Sequence, residues 1–245
     1  MPVVKAGRKQ GAKESAPARA IKVLETARGS KAEAVYGELK EAILSGAIEP
    51  GGSIDKAALC ERLGVSRFPV SSAISRLAFE QLVVVEPQHG SFVSRISMAG
   101  VRERIFIRRA LEGEIAALAA QRMDGAGKDA LKSNIAEQQR AVDRGDRSRF
   151  YALDVGFHRL LTAPLHLVHS DEILDGLRSH LERVRRMLMA PKGRMQLTVR
   201  EHEGVVLAVQ RSDAPGARAA MEHHLAQMMG TFEVLAEEKP DLFSA

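Results

Sequence analysis

The segment Leu63-Gly64-Val65-Ser66-Arg67-Phe68-Pro69-Val70-Ser71-Ser72-Ala73-Ile74-Ser75-Arg76-Leu77 decides how this chain is read. Val70, Ala73, Ile74 and Leu77 recur at the spacing of a helix's inward stripe, and Pro69 falls in the first turn, where its missing N–H costs little. Ser66 is the expected N-cap. Gly64, just before it, suits the positive φ that closes a preceding helix. That preceding helix is short, capped by Asp55 and running to Leu63. Further upstream, Glu49-Pro50-Gly51-Gly52 makes a turn that cannot continue a helix. Before the turn, Val35, Leu39 and Ile43 stand one turn apart, with Tyr36 and Leu44 widening the stripe, and predict a first helix over 32–46. Downstream, Leu82-Val83-Val84-Val85, then Pro87-Gln88-His89-Gly90, then Phe92-Val93 read as a short β-hairpin. Helix, capped short helix, tight turn, helix and hairpin, in that order, is the layout of a winged helix-turn-helix. Its third helix enters the DNA major groove and its hairpin reaches the flanking backbone.

Beyond residue 96 strand signals vanish. Helical patterns are expected over 98–123, 126–143, 147–163, 168–190, 194–212 and 214–237, punctuated by Gly125, Gly127, Gly145, Pro164, Pro191, Gly193 and Pro215. The chain is therefore expected to be mostly α, with an N-terminal winged helix-turn-helix and a C-terminal all-α bundle. The expected divisions are a basic, disordered leader at 1–30, the DNA-binding domain at 31–96, the helical domain at 97–238 and a tail at 239–245. No stretch approaches the roughly 18 apolar residues of a membrane span, and a signal-peptide core is missing, so a cytoplasmic protein is expected. Cys60 is the single cysteine, which excludes an internal disulfide; a small buried thiol is its expected role. The formal charge of +5 sits in the leader, where residues 1–31 hold eight basic side chains against Glu14 and Glu25. Such a tail either adds salt-sensitive attraction to phosphates or is a solvated terminus.

Ile43-Leu44-Ser45-Gly46, Pro50-Gly51, Leu63 through Val70, Leu77, Leu82 and His89-Gly90-Ser91-Phe92-Val93 together resemble the GntR DNA-binding domain. The helical part is similar to the effector (FCD) domain of the FadR subgroup. That likeness is carried by Arg108 with Glu112, Asp154-x-x-Phe157-His158, Glu201-His202, Asp213, Ala217 and His224-Leu225. Six rather than seven C-terminal helices point to the VanR-like branch. The recognition helix departs from the family's usual Pro-Val-Arg-Glu-Ala-Leu, since Pro69-Val70 is followed by Ser71-Ser72-Ala73-Ile74. Ala57 likewise stands where the second helix commonly offers a basic residue, with Lys56 its nearest substitute. Residues 32–95 hold six basic side chains against eight acidic ones, so DNA binding is read from pattern and not from bulk charge.

The expected DNA contacts are Lys56, Arg67, Ser71, Ser72, Arg76, His89 and Gly90. Arg67, in the first turn of the third helix, suits a phosphate or a base edge. Each has an ordinary alternative: Arg67 pairing with Glu61, Arg76 solvated, His89-Gly90 as a plain hairpin turn. Asp154 and His158, at i and i+4, share one helix face, and the resemblance adds His202 and His224 as ligands of a divalent metal, Zn²⁺, Ni²⁺, Mn²⁺ or Fe²⁺. His223 is a rival to His224, but the His-Leu pattern favours His224. The resemblance further implies a small organic acid as effector, with Arg108 binding its charge; the other reading of Arg108 is a salt bridge to Glu112. Met187, Met189, Met195, Met221, Met228 and Met229 read as core filler. The expected protein is a ligand-responsive regulator, a repressor by the family's commoner outcome, binding double-stranded DNA as a homodimer because one wing reads only a half-site. The competing reading is a metal-dependent hydrolase with Glu201 or Glu203 as base; a third is a protein-interaction module.

Overall fold

The computed structural model describes residues 30–187 and 193–244, in two compact units that divide between Ser94 and Arg95. The basic leader, apart from Ser30, lies outside the described residues, as do Met189, Pro191 and the side chain of Met187.

In the first unit α1 (Lys31–Leu44) is capped by Ser30, whose hydroxyl accepts the Glu33 N–H at 3.2 Å. Ser30, the last residue of the expected leader, thus starts this helix. Asp55 caps α2 (Lys56–Leu63) through Ala57 and Ala58, and Gly64 closes it at φ 62°. Ser66 holds the N-cap position of α3 (Arg67–Phe79) but makes no side-chain capping bond, so the start of that helix is set by Pro69 and the buried stripe. Strands β1 (Val83–Glu86) and β2 (Gly90–Val93) pair antiparallel around a turn with Gln88 at φ 65° and Gly90 at φ 126°. The Glu49–Gly52 turn does more than interrupt a helix. The chain leaving it adds a third rung to the wing, with Gly51 N donating to Val93 O, Val93 N to Gly52 O and Ile54 N to Ser91 O. Val35, Leu39, Ile43, Val70, Ile74, Leu77, Leu82 and Val93 close one core, and Cys60 is half-buried against it.

The second unit opens with β3 (Ile96–Ser97) and six α-helices among the described residues: α4 (Met98–Arg122), α5 (Gly125–Asp143), α6 (Arg147–Thr162), α7 (Val168–Met187), α8 (Arg194–Gln210) and α9 (Ala214–Glu238). Asp124, Asp146 and Asp213 start α5, α6 and α9, each accepting the backbone N–H three residues on. Such a cap is typically worth about 1 kcal/mol. α4 runs alongside α9, and the small side chains Ala116, Ala119, Ala120 and Ala217 let the two approach closely. Met221 and Met228 are buried in this core, with Met195 and Met229 packed on it. Within the expected tail, Pro240–Leu242 form a single 3₁₀ turn. Strand β4 (Phe243–Ser244) pairs in parallel with β3, and Arg95 donates to the Asp241 carbonyl. Two-residue strands leave no hydrophobic period to detect, which is why strand signals were absent there. Among the described residues no helix is long and apolar enough to cross a membrane.

Candidate DNA face and candidate metal centre

On α3 the apolar stripe faces inward, and Arg67, Phe68, Ser71, Ser72 and Ser75 are exposed on the outer face. Lys56, at the start of α2, and His89 and Gly90, at the turn of the hairpin, are exposed as well. The structure thus brings Arg67, Ser71 and Ser72 onto one helix surface. Arg76 is placed differently. Its guanidinium stacks 3.6 Å from the centre of the Tyr36 ring and pairs with Glu33 at 2.7 Å and Glu80 at 3.6 Å. Tyr36 donates to Glu80 at 2.5 Å, and Lys40 donates to both at 2.8 Å. Burial favours the neutral form of Glu80, but bonds from Lys40 and Tyr36 outweigh it and hold the carboxyl below its usual range. Arg76 therefore ties α3 to α1. Phe68 and Ser75 had not been singled out, although the spacing 68, 72, 75, opposite the apolar stripe, predicts both on the outer face.

In the helical unit, Asp154 and His158 from α6, His202 from α8 and His224 from α9 converge. All four are buried, and each offers a ligand atom within 4.8 Å of the others. His202 Nε2 lies 3.4 Å from His224 Nε2 and 3.7 Å from Asp154 Oδ1. The far nitrogens each face an oxygen: His158 Nδ1 lies 2.5 Å from Glu112 Oε2, His202 Nδ1 2.9 Å from Gln138 Oε1, and His224 Nδ1 2.8 Å from Glu201 Oε2. The amide orientation of Gln138 is set by its neighbours, since its Nε2 donates to Asn134 Oδ1 and Asn134 donates in turn to the Leu153 carbonyl. Oxygen acceptors at every Nδ1 place a proton there, leaving each Nε2 as a bare lone pair. Three lone pairs and a carboxylate oxygen then face one another with no donor among them. Asp154 Oδ1 and both ring nitrogens of His158 are buried without a well-formed hydrogen bond, Nδ1 having only its close approach to Glu112.

The charges reinforce this. Burial opposes ionisation of Asp154, but Arg185, which donates to its Oδ2 at 2.5 Å, and the three histidines hold it ionised far below the usual carboxylate range. Burial pushes His158, His202 and His224 below the usual imidazole value. At His202 and His224 neighbouring histidines push the same way; at His158 Glu112 opposes the shift without cancelling it. Converging acceptors, with no proton to share, fit a divalent cation, and the imidazole–carboxylate donor set is one first-row metals accept.

Arg108 is buried in α4, with its Nε 2.5 Å from Glu112 Oε1, so of its two readings the internal salt bridge is the contact present. Glu112 also faces Arg178 at 3.5 Å. His223 is exposed. Glu201 accepts both terminal nitrogens of Arg194 at 2.7 Å besides facing His224, and Glu203 is exposed, so neither expected base is free and near the cluster. Beside the cluster is a cleft of about 40 Å³, bounded by Asp154, Arg185 and Arg194, with Thr198 and Thr231 at its sides and Phe150, Met228 and Phe232 as apolar walls. The sequence pattern carried no signal for Gln138, Arg178, Arg185 or Arg194, which act through the ligands or line the cleft.

Residues 31–93 match the family of bacterial regulatory proteins of gntR type, and residues 103–227 match the FCD domain. The HTH-type transcriptional repressor RspR of Escherichia coli strain K12 is 31% identical over 210 residues, covering 86% of this chain and 92% of the relative. An HTH-type transcriptional regulator in an unstable DNA locus of Streptomyces ambofaciens is 33% identical over 211 residues, 86% of this chain and 88% of its own. Two solved structures share the fold. E. coli McbR/YncC has a TM-score of 0.69 at 22% identity, covering 86% of this chain and 99% of that one. A GntR regulator from Rhodococcus sp. RHA1 has a TM-score of 0.70 at 19% identity, covering 84% and 99%.

Proposed function

Because this chain belongs to the GntR family of bacterial regulatory proteins and carries an FCD domain after its helix-turn-helix, we propose that it is a repressor whose operator affinity is set by a metal and a small organic acid in the helical unit. The family and the relatives are transcriptional regulators, not enzymes, which disposes of the hydrolase reading. Repression is favoured by the likeness to RspR, a transcriptional repressor.

The observation that carries the proposal is the set of three histidines whose Nδ1 atoms are all committed to oxygen acceptors while their Nε2 atoms converge on Asp154. Asp154, His158, His202 and His224 would hold the ion; Zn²⁺, Ni²⁺, Mn²⁺ and Fe²⁺ all accept this set. When bound, the ion supplies positive charge and open coordination positions for an acid's carboxylate. Around it, Arg108, Arg178, Arg185 and Arg194 face the carboxylates Glu112, Asp154, Asp175 and Glu201. The charges nearly balance before a cation is added, so the ion would supply the excess positive charge that an anionic effector needs. Arg185 and Arg194 border the cleft and would meet the effector's charge. Arg108 would act through Glu112 by orienting His158. The apolar walls fit an acid with a hydrocarbon or aromatic portion. A cleft of about 40 Å³ is far below the several hundred Å³ of a typical ligand pocket, so the effector must favour a wider arrangement of α6 to α9. Preference for one of two arrangements is what coupling to DNA requires.

On the DNA side, Arg67, Ser71, Ser72 and Lys56 would contact the operator, with His89 and Gly90 at the flanking backbone, in a homodimer reading paired half-sites in the bacterial cytoplasm. The deciding experiment selects genomic fragments with the purified protein at fixed salt, before and after dialysis against chelator, and then with a panel of organic acids. A palindrome recovered near promoters, bound more weakly when metal and an acid are both present, is the expected result. Binding indifferent to metal and to every acid would overturn the effector half of the proposal.

A further inference from the structure

The outer face of α3 holds one side chain that contacts to the phosphate backbone leave unexplained. Phe68 stands in the first turn, between Arg67 and Pro69, with 79% of its surface exposed. The helix's inward positions are filled by Pro69, Val70, Ala73, Ile74 and Leu77, so the ring has no seat in its own core. Its helical neighbours three and four residues on are Ser71 and Ser72, both exposed and both short, so neither competes with the ring for depth. A guanidinium on one side and hydroxyls on the other frame an apolar group at the end of the helix that leads into the major groove. The major groove is anionic along its walls and presents one apolar group on its floor, the C5 methyl of thymine.

We infer that Phe68 is a specificity-determining residue that packs against a thymine methyl, so that each operator half-site requires a T·A pair beneath the first turn of α3. The inference rests on the proposed role of α3 in DNA binding. It also gives the departures at Ser71 and Ser72 a meaning: where the family's usual sequence puts long polar side chains next to this position, this chain substitutes an apolar contact framed by small ones. Phe79, 90% exposed on nearly the same line of the helix, lies three turns further on, about 16 Å along the axis, too far to meet the same base pair.

The test uses full-length protein and duplexes selected from a random pool. Each thymine of the recovered half-site is replaced in turn by deoxyuridine, which removes only the methyl group. One position per half-site is expected to lose about fourfold in affinity, the worth of burying one methyl. Phe68→Ala is expected to lose a similar factor on the thymine duplex and nothing more on the uracil duplex, with its melting temperature and its salt slope unchanged. Phe68→Leu should keep part of the methyl dependence. Equal binding to every uracil duplex, a Phe68→Ala variant that still senses the methyl, or one that changes oligomeric state without changing DNA affinity overturns the inference and leaves DNA binding standing. Recovery of no preferred sequence overturns the DNA-binding role of α3, and this inference with it.

Discussion

The two units place their polar chemistry on opposite sides of their cores. In the winged unit the core is apolar, and Arg67, Ser71 and Ser72 stand outside it, where water competes for every contact. In the helical unit eleven of the described residues, from Arg108 to His224, bury charged or polar side chains among apolar ones, and the candidate ligands are fully enclosed. A polar group on the surface can be changed at little cost to folding; a buried one cannot, because its partner is left uncompensated. The same substitution type should therefore act on function alone in one unit and on stability and function together in the other.

The largest expected effect tests that contrast directly. Glu112→Ala removes the carboxylate that faces Arg108, His158 and Arg178 at once; Arg178 keeps Asp175, but the buried guanidinium of Arg108 loses its carboxylate. Breaking one partner of a buried pair costs about 3–5 kcal/mol, and denaturant unfolding of the variant should show a loss of that order. A loss under 1 kcal/mol would mean that water reaches this network and that the comparison with the surface face fails. Next in size is the metal. If the four ligands hold an ion, adding it at about 100 times its dissociation constant should stabilise the protein by about 2.7 kcal/mol, read as a rise in melting temperature that chelator reverses. His202→Ala and His224→Ala should abolish that rise. Gln138→Ala should weaken metal affinity about 10- to 100-fold by releasing the ring of His202. A rise that persists in all three variants would place the ion elsewhere.

The difference between the units also governs what could be read in advance. The winged fold was legible because its elements are short and each is marked by local chemistry: Asp55 and Gly64 around α2, Pro69 in α3, alternate turn residues at the wing. The third rung at Gly51–Ile54 was not, since its register depends on β2, some forty residues away. In the helical unit the helices followed from their glycine and proline punctuation, and one pair, Asp154 with His158, follows from a single-turn spacing. Joining His202 and His224 to them took family resemblance, because which faces of three helices meet is a tertiary fact. The residues that orient the ligands left no trace for the same reason: Gln138 meets His202 across 64 positions and Arg185 meets Asp154 across 31. Arg76 shows another limit of the pattern: it carries the right charge on the right helix, but the sequence carries no sign that Tyr36, Glu33 and Glu80 also engage it.

Those contacts yield a paired test of the surface face. Arg67→Ala should weaken operator binding by about 1–3 kcal/mol, the range of a good base-edge contact, with no change in melting temperature. Arg76→Ala should do the reverse, loosening the packing of α3 on α1 by less than about 1 kcal/mol while changing DNA affinity little at saturating protein stability. Gel-shift titrations beside thermal melts separate the two. Equal losses in DNA affinity would return Arg76 to the DNA face.

The smallest effect concerns pH, and it belongs to the same junction. Glu80 ionises more readily when folded than its ordinary value of 4.5, because Lys40 and Tyr36 bond to its carboxylate more strongly than burial disfavours the charge. A carboxyl whose folded value lies below its unfolded one stabilises the fold above the unfolded value, and that contribution disappears as the pH falls through the folded value. The contacts between α1 and α3 should therefore be intact from about pH 5 upward and should weaken below about pH 4.5, by an amount of about 0.5–1 kcal/mol, as befits a pair that water partly screens. Amide exchange in α1 and α3 reads this junction separately from the helical unit. Glu80→Gln should exchange faster than the parent at neutral pH and approach it in acid, where both carry a neutral side chain. Exchange rates of the two proteins that fail to converge as the pH is lowered until the fold begins to unfold would show that the carboxylate's charge is not what joins the two helices.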